Sequence, residues 1–530
     1  MKIKILTILA IILPFIFALY LLLRFVNLPY VGPNATDANK LSLISRNYNY
    51  WGFLNTKFTP IVDVSQNLKK HPNMYFHHGV LTQVLQSFFF KVLGYDFWVG
   101  RISYIIGAFL CLPLLFLIGK TIRDKTFGII CLMLGSLIPA TVVFGRMPHY
   151  QGSWTVFFII LVGYLCLKYV KSKNKIFFYS AIFAAILGTL CDWPMTYFTL
   201  FLLPLFWQNK KTKQGVILIL ICAITASLLL FYINLFEPIV KDILPAIANR
   251  SLGGLLTSLS FWPLRWISVL LVRLFLYFNP FFALFSIIYG VYFVKKIKNK
   301  KLNNFDLLIF AFFAYNMTYV VLYPEGSFGH PFWMYGFVPF VALSASEAIR
   351  SKLWNSKFLL AAIILFSIVF ALRIEDWKTQ QNVSQVYRFY LAKSVSSYFI
   401  RYDTLDLNFD SYINLDLLQY YFYQNGRYIK SPITSTKELK NANYYVYSCI
   451  GCDLNTPDVN FLTQHFKYKT FDSPPGRVYI FFLKQKQDQI IPLPKINTIP
   501  KAPTVKIVVK ESFLRKAYVF LLDFLHAPQI

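Results

Sequence analysis

The sequence predicts a polytopic α-helical membrane protein with a small C-terminal α/β domain, and three observations carry that prediction. The 530-residue chain is 56% hydrophobic, with a mean hydropathy of +0.50. Only 14% of its residues are charged, where soluble domains carry about a quarter. The apolar residues are gathered into blocks of roughly 17–22, the length that crosses about 30 Å of hydrocarbon as a helix. A helix satisfies its own backbone hydrogen bonds in lipid, so repeated blocks of this length mean repeated spans.

The first block, ILTILAIILPFIFALYLLL (5–23), is too long for the core of a signal peptide and has no small-residue cleavage site after it. It reads as a retained first helix, with Lys2 and Lys4 holding the N-terminus inside. Ten more candidate spans follow at about 100–118, 127–145, 153–170, 176–191, 194–208, 215–236, 279–294, 305–322, 331–346 and 356–373, about eleven in all. Five basic joints separate them: GKTIRDK (119–125), KSKNK (171–175), NKKTK (209–213), KKIKNKK (295–301) and IRSKLWNSK (349–357). All five fall on the cytoplasmic side if about eleven helices alternate from a cytoplasmic N-terminus. The expectation is a multi-pass protein of the cell membrane whose C-terminal portion is extracytoplasmic.

The domain reading follows from that topology. Residues 1–373 form the membrane domain, with a long first outside loop at 25–99. Residues 374–484 have a soluble composition, with a helical VSQVYRFYLAKSVSSYFI and strand-like YYVYSCI and RVYIFFLK, and read as a small α/β domain. Residues 485–530 are a Lys/Pro-rich tail containing the amphipathic stretch FLRKAYVFLLDFLH (513–526). Residues 75–98 and WPLRWISVLLVRLFLYF (262–278) read as helices lying in the membrane interface. No internal repeat is evident, which disfavours a transporter built from inverted repeats.

The net charge of +30 does not imply nucleic acid, because the Lys and Arg sit in short clusters between apolar blocks, where they meet lipid headgroups. Five of seven cysteines (Cys111, Cys131, Cys166, Cys191 and Cys222) fall in or beside spans and read as small packing residues. Cys449 and Cys452 form a lone CxxC, consistent with a local disulfide, a redox pair or half a zinc site. Of seven histidines, five (His71, His77, His78, His149 and His330) fall in predicted outside loops. Histidine there contacts phosphate or sugar hydroxyls, ligates a metal, or is simply tolerated at an interface; the spacing alone does not specify zinc. A divalent metal therefore stays open as a cofactor.

A reaction that needs a general base must draw on few carboxylates: Asp37, Asp63, Asp96, Asp192, Glu237, Asp242 and Glu325. Asp96 precedes a helix and reads as its N-cap. Asp63 reads as a solvated loop residue. Asp192, beside Trp193 and Pro194, either caps a helix or contacts sugar. Asp37 opens the helical run ANKLSLISRNYNYWGFL just after the first span, as a base or as a cap. No Gly-rich βαβ unit for a soluble nucleotide donor is present. A donor used on the outer face must arrive there itself, as a polyprenyl-phosphate sugar does. Phosphate is a competent leaving group, so one base suffices, with cations to receive the charge. Arg146 and His149 in FGRMPHY, Arg250, and Arg265 or Arg273 are the candidate cations.

Over about residues 1–350 the chain resembles the GT-C glycosyltransferases of the dolichyl-phosphate-mannose protein mannosyltransferase and 4-amino-arabinose lipid A transferase type. The resemblance lies in an acid just after the first helix (TDANKLSLISRNYNYWGF), then YFHHGVLTQVLQSFFFKVLG and DFWVGR, then FGRMPHYQ and GHPFWMYGFVPFVALSA. Two departures stand out: the frequent Asp-Glu is Asp37-Ala38 here, and an aromatic–His–Pro–Pro element has become His77-His78-Gly79. The resemblance implies a GT-C-like fold and an inverting transfer of sugar from a polyprenyl-phosphate donor to a protein, lipid or glycan hydroxyl on the outer face. Asp37 would be the general base. His77, His78, Arg146, His149, Asp192, Arg265 and His330 would bind phosphate and sugar. The rival readings are a non-catalytic subunit of a surface-glycan assembly complex and a lipid-linked sugar flippase. The flippase predicts ionisable residues inside the spans, and these are scarce.

Overall fold

The computed structural model describes residues 2–31, 35–149, 152–236, 243–250, 262–352, 356–383 and 385–396, then 399, 404–408, 418–419, 424–429, 433, 439, 442–450, 456–473 and 476–484. The tail with its expected amphipathic helix, Cys452 and hence the Cys449–Cys452 pair, and Glu237 and Asp242 lie outside the described residues.

Helix α1 (Lys2–Leu23) is the first apolar block, and α2 (Ala35–Trp51) and α3 (Leu81–Leu93) lie in the segment that follows it. Asp96 caps α4 (Phe97–Ile122) by accepting from the Phe97 amide at 2.7 Å, and Asp124 caps α5 (Lys125–Leu137) by accepting from Phe127. Proline then divides the blocks. Pro139 opens the short α6 (Pro139–Val143), which precedes α7 (Ser153–Ser172) and α8 (Lys175–Cys191). The expected 194–208 span is two helices, α9 (Pro194–Phe201) and α10 (Leu203–Gln208), each with proline in its first two positions. Then come α11 (Thr212–Asn234), α12 (Ile243–Arg250) and α13 (Trp262–Phe278), the last separated at Asn279 from α14 (Pro280–Lys298). A capping box of Asn303 and Asp306 starts α15 (Asn304–Leu322), followed by α16 (Pro324–Gly329) and a 3₁₀ turn at Pro331–Phe337. Helices α17 (Val338–Lys352) and α18 (Lys357–Val383) complete the bundle.

Among the described residues, seven segments are long and apolar enough to cross a membrane: Phe97–Ile122, Ser153–Ser172, Thr212–Asn234, Pro280–Lys298, Asn304–Leu322, Pro331–Ser351 and Phe358–Thr379. Lys125–Leu137 and Lys175–Cys191, also counted in the sequence, are shorter apolar helices, and α1 carries the apolar stretch Thr7–Leu23 within its 22 residues. Proline divides two of the expected spans, 127–145 at Pro139 and 194–208 at Pro204.

The chain divides into two compact units. The first comprises Met1–Asn27 and Phe76–Thr379. Most of its core is an apolar cluster drawn from α4, α5, α7–α11, α13–α15, α17 and α18, and it includes five buried thiols. Helices α4 and α5 approach backbone to backbone: a Cβ built on Gly119 would meet the Gly128 Cα at 2.9 Å. Small residues permit such contact where lipid gives no hydrophobic drive for helices to associate.

Arg146 holds the end of α1. Its Nη1 donates to the carbonyl of Arg24 at 2.6 Å and to the Glu375 carboxylate at 2.7 Å, and its Nη2 donates to the Thr379 hydroxyl at 3.2 Å. Arg24 adds ion pairs to Glu375 at 3.0 Å and Asp376 at 2.7 Å, while Arg101 donates to the Val26 carbonyl at 2.9 Å. Two buried guanidiniums thus satisfy carbonyls where α1 ends, as cations favour.

The second unit comprises Leu28–Tyr75 and the described residues from Gln380 onward. It joins α2 to α19 (Val386–Ser396), α20 (Pro457–His465) and a five-stranded sheet of β1 (Thr404–Asn408), β2 (Asn425–Ile429), β3 (Tyr444–Ile450), β4 (Lys467–Ser473) and β5 (Gly476–Phe482). The strand order is β2-β1-β3-β5-β4; β1 runs parallel to β2 and β3, and β5 runs antiparallel to β3 and β4. Both faces are covered. Tyr444, Val446, Val478 and Ile480 pack with Val386 and Leu391 of α19 and with Val31, while Tyr445, Tyr447, Tyr479 and Phe481 pack with Val459 and Leu462 of α20. Residues 28–75, expected as part of the membrane domain's outside loop, therefore cluster with the α/β segment.

The reason is visible in α2, which buries polar residues (Asn39, Ser42, Ser45, Arg46 and Asn47) too hydrophilic for lipid. Asp63, read from the sequence as solvated, is 2% exposed. It accepts from the Asn73 amide at 2.7 Å and from Lys69 at 3.0 Å, which closes the loop between them.

Removing Glu375 would leave two guanidiniums without their shared carboxylate. Glu375→Ala is expected to cost about 3–5 kcal/mol, the usual result of breaking a buried ion pair from one side. The measurement is the thermal unfolding midpoint in detergent. Asp376→Ala, which leaves Glu375 in place for both arginines, is expected to shift it much less.

Candidate functional site

The site begins at Phe76-His77-His78-Gly79. A Cβ on Gly79 would lie 2.1 Å from the Leu190 carbonyl oxygen and 3.0 Å from the Cys191 carbonyl carbon, so this position packs directly on the last turn of α8. Only glycine permits that approach without moving the backbone. The contact sets His78 beside the residue that follows α8. The Nδ1 of His78 lies 2.9 Å from Asp192 Oδ1, with His78 7% and Asp192 0% exposed. A carboxylate only accepts, so Nδ1 carries the proton and donates it to Asp192. The same oxygen accepts from the Trp193 amide at 2.9 Å, and Asp192 Oδ2 has no hydrogen-bond partner among the described residues. The Trp193 indole closes the loop by donating to the His77 carbonyl at 2.8 Å.

Beside this group lies a cavity of about 220 Å³ whose walls include His77, His78, Trp193, Tyr197, Tyr323 and Trp333. Tyr319 and Trp333 have ring centroids 4.5 Å apart, and the hydroxyls of Tyr197 and Tyr323 lie 3.4 Å apart. The walls come from α9, α15 and the 3₁₀ turn, with Ile243 and Ile247 of α12 at one side.

A second cavity, about 500 Å³ and almost wholly apolar, lies on another face of α15. Trp266, Leu270, Phe310, Phe313, Met317 and Phe337 line it. Residues one apart on a helix point about 100° apart, so Tyr319 lines the first cavity while Val320 lines the second. The 3₁₀ turn divides its neighbours in the same way, Trp333 to the first and Met334 to the second. At the second cavity Trp266 donates to the Ser327 hydroxyl at 2.8 Å, and the guanidinium of the adjacent Arg265 stacks on Phe328 at 5.4 Å.

The residues singled out from the sequence separate into groups. His77, His78 and Asp192 meet at the first cavity. His330 is half-buried, with its ring 5.1 Å from Phe332 and 6.1 Å from Trp333. Arg265 stacks on Phe328 beside Trp266, a wall of the second cavity, while Arg273 donates to the Ser327 and Phe328 carbonyls and holds α16 in place. Two expected phosphate ligands are not brought to the first cavity. Arg146 is committed to Glu375 and the end of α1. His149 is 1% exposed, donates from Nε2 to the Phe144 carbonyl at 3.0 Å and packs 4.8 Å from Phe332. Asp37 belongs to the second unit, half-buried in the first turn of α2. Glu325 is exposed in α16. The side chain of Arg250 lies outside the described residues. Among the described residues no group of three or more His, Cys, Asp or Glu is placed to hold a metal ion.

Sequence reasoning missed the aromatic walls. Tyr319 and Tyr323 are spaced i, i+4 within an apolar span, a pattern shared by any buried stripe. Trp333 in GHPFWMYGF and Trp193 beside Asp192 carry no sequence signal that separates a cavity wall from a packing residue.

Two outcomes follow. Gly79→Ala must displace either its own segment or the end of α8, and is expected to lower detergent stability by about 1–3 kcal/mol or more. Gly290→Ala, in α14 with open space around it, is the control and should be neutral or slightly stabilising in the same thermal assay. The second outcome concerns His149, where burial outweighs the bond to Phe144 and pushes the imidazole down to about 3. Between pH 3 and the ordinary value of 6.5 the unfolded chain binds this proton and the folded one does not. Stability from this group is therefore full above the upper limit and lost as pH falls, at about 1.4 kcal/mol per pH unit. His149→Gln should flatten the acid limb of a melting-temperature profile relative to the parent.

No family model and no curated protein sequence matches the chain. Among solved structures, ArnT from Cupriavidus metallidurans in the apo state aligns over 91% of this chain and 98% of its own, at 11% identity and a TM-score of 0.57. The same protein bound to undecaprenyl phosphate aligns over the same shares, at 11% identity and a TM-score of 0.58. The archaeal oligosaccharyltransferase AglB from Archaeoglobus fulgidus, in complex with an inhibitory peptide and a dolichol-phosphate, aligns over 92% of this chain and 75% of its own, at 12% identity and a TM-score of 0.52. The chain thus shares its fold with these proteins, the GT-C-like membrane architecture that the sequence resembles.

Proposed function

We propose that the protein is a membrane glycosyltransferase that moves a sugar from a polyprenyl-phosphate donor to an acceptor hydroxyl on the outer face of the membrane, with inversion. The observation that carries this reading is the pair of cavities on two faces of α15. One is apolar and of a size for part of an isoprenoid chain; the other is walled by aromatic, imidazole and hydroxyl groups suited to a sugar. Support comes from two proteins of the same fold, one bound to undecaprenyl phosphate and the other in complex with a dolichol-phosphate. Arg265 and His330 are the cations proposed for the donor phosphate. Arg265 adjoins a wall of the apolar cavity, and its Nε has no hydrogen-bond partner among the described residues.

In the proposed reaction Asp37 takes the proton of the acceptor hydroxyl as its oxygen attacks the anomeric carbon. The bond from that carbon to the phosphate oxygen breaks on the opposite face, and the electron pair leaves with the polyprenyl phosphate. A single displacement inverts the anomeric centre. Phosphate leaves as an anion, so cations that meet it lower the barrier more than any acid would. The acceptor class (protein, lipid or glycan) is left to experiment.

Asp37→Asn keeps the shape and removes the base. It is expected to reduce transfer by about 10²–10⁴-fold in purified protein given radiolabelled polyprenyl-phosphate sugars. Full transfer by a folded Asp37→Asn protein would exclude this assignment.

A further inference from the structure

We infer that a cleft between α1, α5 and α18 binds one acyl chain of an anionic phospholipid, whose headgroup meets the lysines at the end where these three helices begin. The cleft is separate from both cavities beside α15 and shares no lining residue with them.

The cleft measures about 570 Å³ and its walls are apolar, among them Ala10, Pro14 and Phe17 of α1, Met133 and Leu137 of α5 and Ile368 of α18. Helices α1 and α18 meet toward their C-terminal ends, where Leu21 packs with Ala371 and Arg24 pairs with Glu375 and Asp376. Toward their beginnings they part around the cleft, and the small side chain of Ala10 leaves it room. Left empty, the lining atoms would forfeit dispersion contact on one side.

Length and access fit an acyl chain. Residues 10 to 20 of α1 line the cleft and span about 15 Å along the helix. That is about half of the ~30 Å hydrocarbon thickness, the reach of one chain in one leaflet. Leu13 and Ile16, each 58% exposed, and Tyr20, 55% exposed, stand along its rim. The cleft therefore opens sideways, and a chain enters it directly from the bilayer.

Charge at one end selects the headgroup. The three helices run in the same direction, because Ala18 packs with Leu132, and Leu21 with Val142 and Ala371. They begin at Lys2, Lys125 and Lys357. Next to Lys125, Arg123 pairs with Glu347 and Arg350 with Asp124, so those charges cancel. Lys120 and Lys125 are exposed, and the surplus is positive. A net negative headgroup meets that surplus better than a zwitterionic one.

The test strips the full-length protein of lipid in detergent and titrates it with phosphatidylglycerol or phosphatidylcholine of the same chains, counting bound lipid by native mass spectrometry. The parent is expected to take up one phosphatidylglycerol about fivefold or more tightly than phosphatidylcholine. Ala10→Phe fills the cleft from α1 and should weaken both lipids about tenfold, the loss of about two buried methylene groups. Ile368→Trp fills it from α18 and should do the same, so the result does not hang on the folding of one variant. Lys125→Gln should weaken phosphatidylglycerol alone, by about fivefold. Ile224→Phe, on the exposed side of α11, is the control and should change neither. Equal binding of the two lipids by the parent, or unchanged uptake by both filled variants, would overturn the assignment. If undecaprenyl phosphate displaces the phosphatidylglycerol one for one, the cleft is a second isoprenoid site and the phospholipid assignment fails.

Discussion

Every charged side chain that the helical unit takes out of water has to be paired, and this constraint decides what the rest of the molecule can do. An isolated buried charge costs several kcal/mol, so arginine and aspartate persist inside such a bundle only with partners supplied by the fold. Arg146 meets Glu375 and the carbonyls that end α1, and Arg273 meets the carbonyls of Ser327 and Phe328. Asp306 receives Lys296 at 2.7 Å and the Tyr289 hydroxyl at 2.8 Å, and Arg123 pairs with Glu347. These contacts tie helix ends far apart in sequence and hold the bundle in one arrangement.

The same constraint explains why rare charges mislead. In a membrane protein an arginine near a span is a reasonable functional candidate, because lipid tolerates so few. Arg146 fits that argument from its sequence context alone, yet its guanidinium is committed to fixing the point where the chain leaves α1. His149 is similar: a histidine in a predicted loop, but buried as a neutral ring against Phe332 with its one donor satisfied by Phe144. What separates them from His78 is the partner. His78 is held by a carboxylate and lines a cavity.

That cavity exists because of backbone contact as much as side-chain chemistry. Gly79 stands where the resembled family has proline, and the lack of a Cβ lets this segment rest on the carbonyls that end α8. The departure that looked like a weakened motif thus has a packing reason: it brings His78 to Asp192. The aromatic walls follow from helix geometry, since one turn of α15 sends Tyr319 and Tyr323 to one side and Val320 to another.

Much of the fold class was legible in the sequence. Blocks of apolar residues state their own membrane-crossing length, Asp96 announced the start of α4, and the separate 262–278 helix was marked by the Asn279-Pro280 break that ends it. The α/β character beyond the last span was readable from strand-like runs. Tertiary structure alone decided the rest. It divided the long first loop, sending 28–75 to the α/β segment and 76–99 to the bundle, because the polar residues of α2 need protein partners rather than lipid. It also sorted the candidate cations, since whether a guanidinium is available depends on carbonyls and carboxylates up to 229 positions away in the chain. Hydrophobic length is a local property and can be read residue by residue; the pairing of buried charge is a property of contacts, and those exist only once the chain has folded.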